Sequence, residues 1–273
     1  MFRYSGKSFG RELMMLALAV AFMFPLYVLV TSSFKTLPQM ASPLALPESL
    51  RFENYREAWA EGNFGEALMG SFVITAGSIT ILVFLGSMVG YVLARRRQRL
   101  SFGVYLLFII GIILPFQLGL IPVYELMRDL GLLGTRWSLI LYYTGYQMPL
   151  TVFLYTGFMR AMPTDYEYAA RVDGAGAWQT YWRVALPMVR PITGTVIVLN
   201  VIQIWNDFLV PLLFLSGSGR TTVPVAVFSF AGQYGSQWPL LFAGMIIGIL
   251  PVVVVYSFMA QRLIKSIGSG LKG

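Results

Sequence analysis

Apolar residues in this chain come in long runs, and polar residues gather between them. The first run, from Leu13 to about Ser33, is long enough to cross a bilayer, which takes about 20 helical residues. A cleavable signal peptide has an apolar core of only about 7–15 residues, so this run reads as an uncleaved first span. Similar runs cover about 71–94, 104–124, 137–159, 192–215 and 240–261. Six runs predict an all-α polytopic membrane protein of six transmembrane helices in a single domain, 1–273, with both termini on one side. Pro25, Pro149 and Pro251 fall inside spans, where each is expected to kink the helix. Pro115 and Pro122 lie near the outer half of the third span.

The connections differ in character. Between spans one and two, Pro38, Pro43 and Pro47 break up the first part, and Tyr55, Trp59 and Leu68 then suggest a short amphipathic helix over 53–69. In span two, Gly86, Gly90 and Ala94 recur every four residues, the small-residue pattern that lets helices approach closely. The segment 160–191 is a polar island that reads as helix with little loop. Thr164 and Glu167 have capping-box spacing, and a short helix follows through Val172. Gly174 can take the left-handed conformation that ends it. A second helix, about 177–186, presents Trp178, Tyr181, Trp182 and Ala185 on one apolar face and is closed by Pro187. Two short helices at an angle form either a knob for a partner to grip or a re-entrant hairpin.

Composition narrows the class. Hydrophobic residues make up 57% and charged residues 12% of the 273, against about 25% charged in an ordinary soluble domain. Cysteine and histidine are absent, which removes disulfides, thiolate nucleophiles, zinc sites and His-based triads. The net charge of +8 does not point to nucleic acid, because the basic residues sit beside the apolar runs. Fourteen of the 20 Lys and Arg fall on the side of the termini, the Arg95–Arg99 cluster and the island, and six on the other. The positive-inside rule then orients that side to the cytoplasm. The Arg95–Arg99 cluster itself is an orientation signal or a contact to lipid head groups.

Chemistry is sparse. Gly6-Lys7-Ser8 matches the end of a phosphate-binding loop, but Met1 stands where its first glycine belongs. Gly217-Ser-Gly219 reads as a turn. Asp207 is the one ionisable side chain inside the predicted spans, either structural or part of a transport path. Asn200, Gln203 and Asp207 share a helical face with Thr193, and Asn206 flanks it. On span four, Tyr143, Gln147 and Thr151 repeat every four residues. Such uncharged hydrogen-bonding groups suit a path for a neutral sugar or polyol. They suit equally an interface between membrane subunits or packing inside one. A proton- or ion-driven carrier needs several buried carboxylates or histidines, and a hydrolase needs a nucleophile–base pair. Neither is present, so no enzyme or cofactor site is expected and the energy source lies on another chain. A stand-alone carrier or channel, or a non-transporting membrane subunit, are the competing readings.

Ala169-Ala170-x-x-x-Gly174, followed after nine residues by Val184-x-Leu186-Pro187, resembles the EAA loop of binding-protein-dependent ABC importer permeases. Ser33-Phe34-Lys35, Phe52-x-Asn54-Tyr55, Trp205-Asn206-Asp207-Phe208 and the closing Leu271-Lys272-Gly273 extend the likeness to the MalG-like permeases of carbohydrate importers. Tyr168 stands where the family has glutamate, with Glu167 one place upstream. The resemblance implies a type I ABC importer permease fold in the bacterial inner membrane. It also implies a second, non-identical permease, an ATPase dimer on the cytoplasmic side and a sugar-binding protein outside. Glu167, Ala169, Ala170, Asp173, Gly174, Leu186 and Pro187 would then form the ATPase-coupling surface. Asn200, Gln203, Asn206, Asp207, Tyr143 and Gln147 would be path or permease interface, and the loop 216–239, with Gln233-Tyr234-Gly235, would meet the binding protein.

Overall fold

The computed structural model describes residues 6–96, 98–232 and 237–270, and every regular element among them is helical. That is the expected outcome for a chain in lipid, where backbone N–H and C=O groups must be paired within the segment. Gln233-Tyr234-Gly235 and Leu271-Lys272-Gly273, singled out above, lie outside the described residues. The helices are α1 (Gly6–Ser33), α2 (Glu53–Glu61), α3 (Phe64–Arg95), α4 (Arg99–Ile113), α5 (Gln117–Asp129) and α6 (Arg136–Ala161). The island carries α7 (Asp165–Val172), α8 (Ala177–Thr180) and α9 (Leu186–Met188). After it come α10 (Arg190–Asn206), α11 (Leu209–Phe214), α12 (Val223–Phe228) and α13 (Trp238–Gly270).

Three described helices, over Phe9–Ser33, Phe64–Arg95 and Trp238–Ser257, are long and apolar enough to cross a membrane, and two bent pairs raise this to five. The expected third span, 104–124, is two helices: α4 and α5 meet at 102°. Pro115 causes the break, since it disfavours helical backbone at Leu114, which is extended (ψ 127°). The expected fifth span, 192–215, is also broken. Asp207 is extended (φ −71°, ψ 128°) between α10 and α11, and its Oδ1 accepts the Leu209 N–H at 3.0 Å. Asp207 is thus the joint between two helices and not a mid-helix carboxylate. The fourth expected span, α6, has 26 residues, about 39 Å of helix. It falls outside the apolar set through composition, with Gln147, Pro149 and four tyrosines (Tyr142, Tyr143, Tyr146 and Tyr155) along its length.

The chain divides into two compact units, 1–65 with 226–250, and 66–225 with 251–273. In the first, two short sequence motifs meet. Asn54 donates from Nδ2 to the carbonyls of Ser33 and Lys35 (2.8 and 2.9 Å), and the Ser33 and Tyr55 hydroxyls lie 2.7 Å apart. The Phe34 ring packs edge-on to Phe52 and against Tyr55. Lys35, 1% exposed, donates to the carbonyls of Ser42 and Pro43. The amphipathic helix expected over 53–69 stops at Glu61. Gly62 and a left-handed Asn63 (φ 47°) end it, and Leu68 belongs to α3.

In the second unit, α6 is the helix around which α4, α10 and α11 pack, and α3 lies against it through its glycines. The glycines of α3 are what let it approach. A Cβ at Gly90 would stand 2.6 Å from the Tyr155 Cβ, and one at Gly86 would strike the Thr151 methyl. Leu82, Leu139, Tyr142, Tyr143, Ile204 and Phe214 form one buried cluster, and Tyr155, Met159, Val189 and Val196 another. The small-residue repeat therefore serves packing within the chain. Gly90→Val is expected to lower stability by about 1–3 kcal/mol through overpacking. Gly103→Ala, where an added Cβ meets nothing, should be neutral or slightly stabilising. Thermal unfolding in detergent checks both, and an unchanged melting temperature for Gly90→Val contradicts the packing argument.

Candidate functional site: the 160–191 island and a polar cavity at α6 and α10

The island is built on α3. Thr164 makes no side-chain cap bond, contrary to the capping-box expectation, and Glu167 turns inward. Its carboxylate, on a residue 3% exposed, receives Arg95 Nε at 2.8 Å and Arg95 Nη2 at 2.7 Å on one oxygen. The Tyr91 hydroxyl donates to the other at 3.0 Å. Arg95 also donates to the Met159 carbonyl at 2.6 Å, which joins the end of α3 to the end of α6. Two-point contact of a guanidinium with one carboxylate gives direction as well as charge. One turn before Tyr91, Ser87 and Tyr181 place their hydroxyls 2.7 Å apart, and Phe84 lies beside Trp182.

Gly174 ends α7 at φ 84°, with its N–H donating to Arg171 O and that of Ala175 to Ala170 O. The second island helix does not stop at Pro187. It runs α8, a π-helical turn over Tyr181–Ala185, and α9, then bends by 71° into α10 at Val189. Pro187 follows the π-helical turn directly and causes no break before Val189. Tyr181 and Ala185 are buried while Trp178 is 59% exposed, so the predicted apolar face is split. Ala169, Asp173 and Gly174 are exposed, Ala170 half-buried, and Leu186 and Pro187 half-buried, Leu186 against the cluster of Tyr155, Met159, Val189 and Val196. Val172, at 87% exposure, and Trp178 flank this surface. Beside it, a basic hollow of about 1070 Å³ is lined by Arg95, Arg96, Arg99, Arg160 and Arg171.

The polar stripe divides in two. Thr193 accepts the Tyr155 hydroxyl (3.0 Å), and Asn200, 2% exposed, donates to Thr151 Oγ1 (3.4 Å) and Val196 O. This half ties α10 to α6. The other half borders a cavity of about 300 Å³. Gln203 and Asn206 line it from α10 and Asp207 from the joint after it, and Tyr143 and Gln147 from α6. Tyr143 donates to Asp207 Oδ2 at 2.9 Å. The structure brings five of the six stripe candidates together and separates Asn200 from them. Tyr142, Tyr146 and Phe116 complete the cavity wall. These three escaped sequence reading, although the crowding of tyrosines at 142, 143 and 146 was a signal. Arg95 and Tyr91 were missed as partners of Glu167 because the arginine cluster reads as a topology signal.

Long apolar helices, an outward-turned helical pair and a polar cavity together define a membrane permease. The family described as binding-protein-dependent transport system inner membrane component matches residues 82–269, and the chain belongs to that family. It is 37% identical over 256 residues to the probable starch degradation products transport system permease protein AmyC of Thermoanaerobacterium thermosulfurigenes, covering 93% of each. It is 33% identical to the melibiose/raffinose/stachyose import permease protein MelC of Bacillus subtilis, covering 92% of each. In fold it is similar to a chain of a bacterial ABC transporter that imports the acidic polysaccharide alginate. The TM-score is 0.83 at 20% identity, covering 96% of this chain and 99% of that one.

Removing one partner of a buried ion pair leaves the other uncompensated, at about 3–5 kcal/mol. Glu167→Ala is therefore expected to loosen the island. Limited proteolysis should show faster cleavage within 160–190, and the double variant Arg95→Met, Glu167→Leu should recover protection. Equal protection in Glu167→Ala and the unsubstituted chain contradicts the clamp.

Proposed function

We propose that this chain is the permease of an ATP-driven importer that carries a sugar, a mono- or oligosaccharide, delivered by an extracytoplasmic binding protein. The observation that carries the reading is the island. Its outer surface, with Ala169, Val172, Asp173, Gly174 and Trp178, is exposed, while its inner surface is fastened to α3 through Glu167–Arg95 and Tyr181–Ser87. A load applied to the exposed side therefore passes into a membrane helix. ATP hydrolysis resides on a separate subunit, and an ATPase gripping the island would couple closure of its two halves to movement of the helices. Two global states linked through one contact are what such coupling requires.

Six crossings are proposed, made by α1, α3, the bent pair α4–α5, α6, the broken pair α10–α11, and α13. The excess of Lys and Arg beside the island and the termini supports a cytoplasmic placement for both. α1 has its apolar surface exposed along its length, which fits a partner permease or lipid. The sugar itself is inferred from relatives named for starch products, melibiose and raffinose, and from the tyrosine-rich cavity.

Gly174→Asp tests the coupling. A Cβ at Gly174 meets nothing among the described residues, so a side chain there would lie on the exposed surface, and the φ of 84° adds strain of about 1–2 kcal/mol. The expected outcome is a complex that inserts and assembles but loses uptake tenfold or more in proteoliposomes. ATP hydrolysis should no longer respond to the loaded binding protein. Full uptake by this variant, or uptake by the chain without any ATPase, would overturn the reading.

A further inference from the structure

We propose that the cavity lined by Tyr143, Gln147, Gln203 and Asp207 is a subsite for one uncharged sugar unit of the transported solute, and that it rejects sugar acids. The proposal rests on the importer reading and adds that this chain itself touches the sugar.

Two amides at the cavity make no hydrogen bond among the described residues. Gln147 is 6% exposed and borders the cavity, yet its amide makes no hydrogen bond among the described residues. The amide keeps some accessible surface, so its donors and its acceptor can pair with a ligand that both donates and accepts there. Gln203, at the rim on α10, also has its amide unpaired among the described residues and can pair with a second hydroxyl. Asp207 is held by Tyr143 on one oxygen and by the Leu209 N–H on the other. Each oxygen keeps a further lone pair for a hydroxyl donor.

The remaining wall is aromatic. Tyr142 and Tyr146 lie with ring planes 20° apart and centroids 6.0 Å apart, and Phe116 meets Tyr146 edge-on. A pyranose ring has an apolar C–H face and a rim of hydroxyls. It therefore matches a site with an aromatic wall and amides and a carboxylate close by. The volume of about 300 Å³ is at the low end for small-molecule sites, roughly 300–1,000 Å³, and suits one sugar unit.

Charge selectivity follows from what lines the cavity. It holds one carboxylate and no Lys, Arg or His, and no cation pairs with Asp207 among the described residues. A uronate would bring a second negative charge into a region of low dielectric, where repulsion is strong. Discrimination of this kind works by penalising the wrong ligand as much as by favouring the right one.

The test uses the assembled importer in nanodiscs without its binding protein. Saturation-transfer NMR is recorded with methyl α-glucopyranoside and with the corresponding methyl glucuronide. The neutral glycoside should give a signal at least fivefold that of the glucuronide. Asp207→Asn should bring the two within about twofold. Gln147→Leu, and separately Gln203→Leu, should lower the neutral signal several-fold with the melting temperature held. Gln203 is exposed, so its substitution leaves the core intact. Equal signals for the two sugars in the unsubstituted complex would overturn the proposal, as would signals indifferent to both glutamine substitutions. Stimulation of ATP hydrolysis by loaded binding protein in the unsubstituted complex is read alongside. If it is present while the sugar results fail, only the subsite falls; if it is absent, the importer reading falls first.

Discussion

The close contact of α3 with α6 is the constraint on which the rest of the second unit depends. Gly86 and Gly90 remove the side chains that would hold the two helices apart, and Thr151 and Tyr155 fill the space. With α3 drawn in, one stretch of ten residues serves two purposes. Its glycines face α6, while Ser87, Tyr91 and Arg95 reach the island. Tyr155 in turn donates to Thr193, and Thr151 accepts from Asn200, so α10 is registered against the same helix. In a membrane such bonds matter because apolar burial alone discriminates little between helix and lipid.

The island and the cavity are consequences of that register in different directions. Toward one end, Arg95 reaches both Glu167 and the Met159 carbonyl and makes the ends of α3, α6 and α7 a single joint. Toward the other, Tyr143 reaches Asp207 across the helix break, so the wall of the cavity is cross-linked by a charged hydrogen bond. Both contacts join helices or their ends directly.

The departure of Tyr168 from the family pattern finds its physical setting here. Tyr168 is exposed beside the basic hollow, under the Arg171 guanidinium, and the buried carboxylate of this loop is Glu167. The buried carboxylate of the second unit's island thus holds the chain's own arginine, while its exposed surface mixes Ala169, Val172 and Trp178 with Asp165, Arg171 and Asp173.

Much was legible from the chain alone: helical class, the approximate position of most apolar runs, the left-handed turn at Gly174, the close-packing glycines and the family. Each follows from a local rule, such as run length, spacing of small residues or an ordered motif. The breaks were less legible. Pro115 and Pro187 are the same residue type, yet one opens a 102° bend while the other follows a π-helical turn inside a continuing helical run. The stripe on α10 showed which residues share a face but not what that face meets. Only the packing of α6 separated Asn200, which binds helix to helix, from Gln203 and Asp207, which border open space. Likewise Glu167 had the spacing of a cap, and only the approach of Arg95, 72 residues earlier, turned it into a clamp. Sequence determined the groups available; tertiary structure decided their partners, because those partners are distant in the chain and no local rule brings them together.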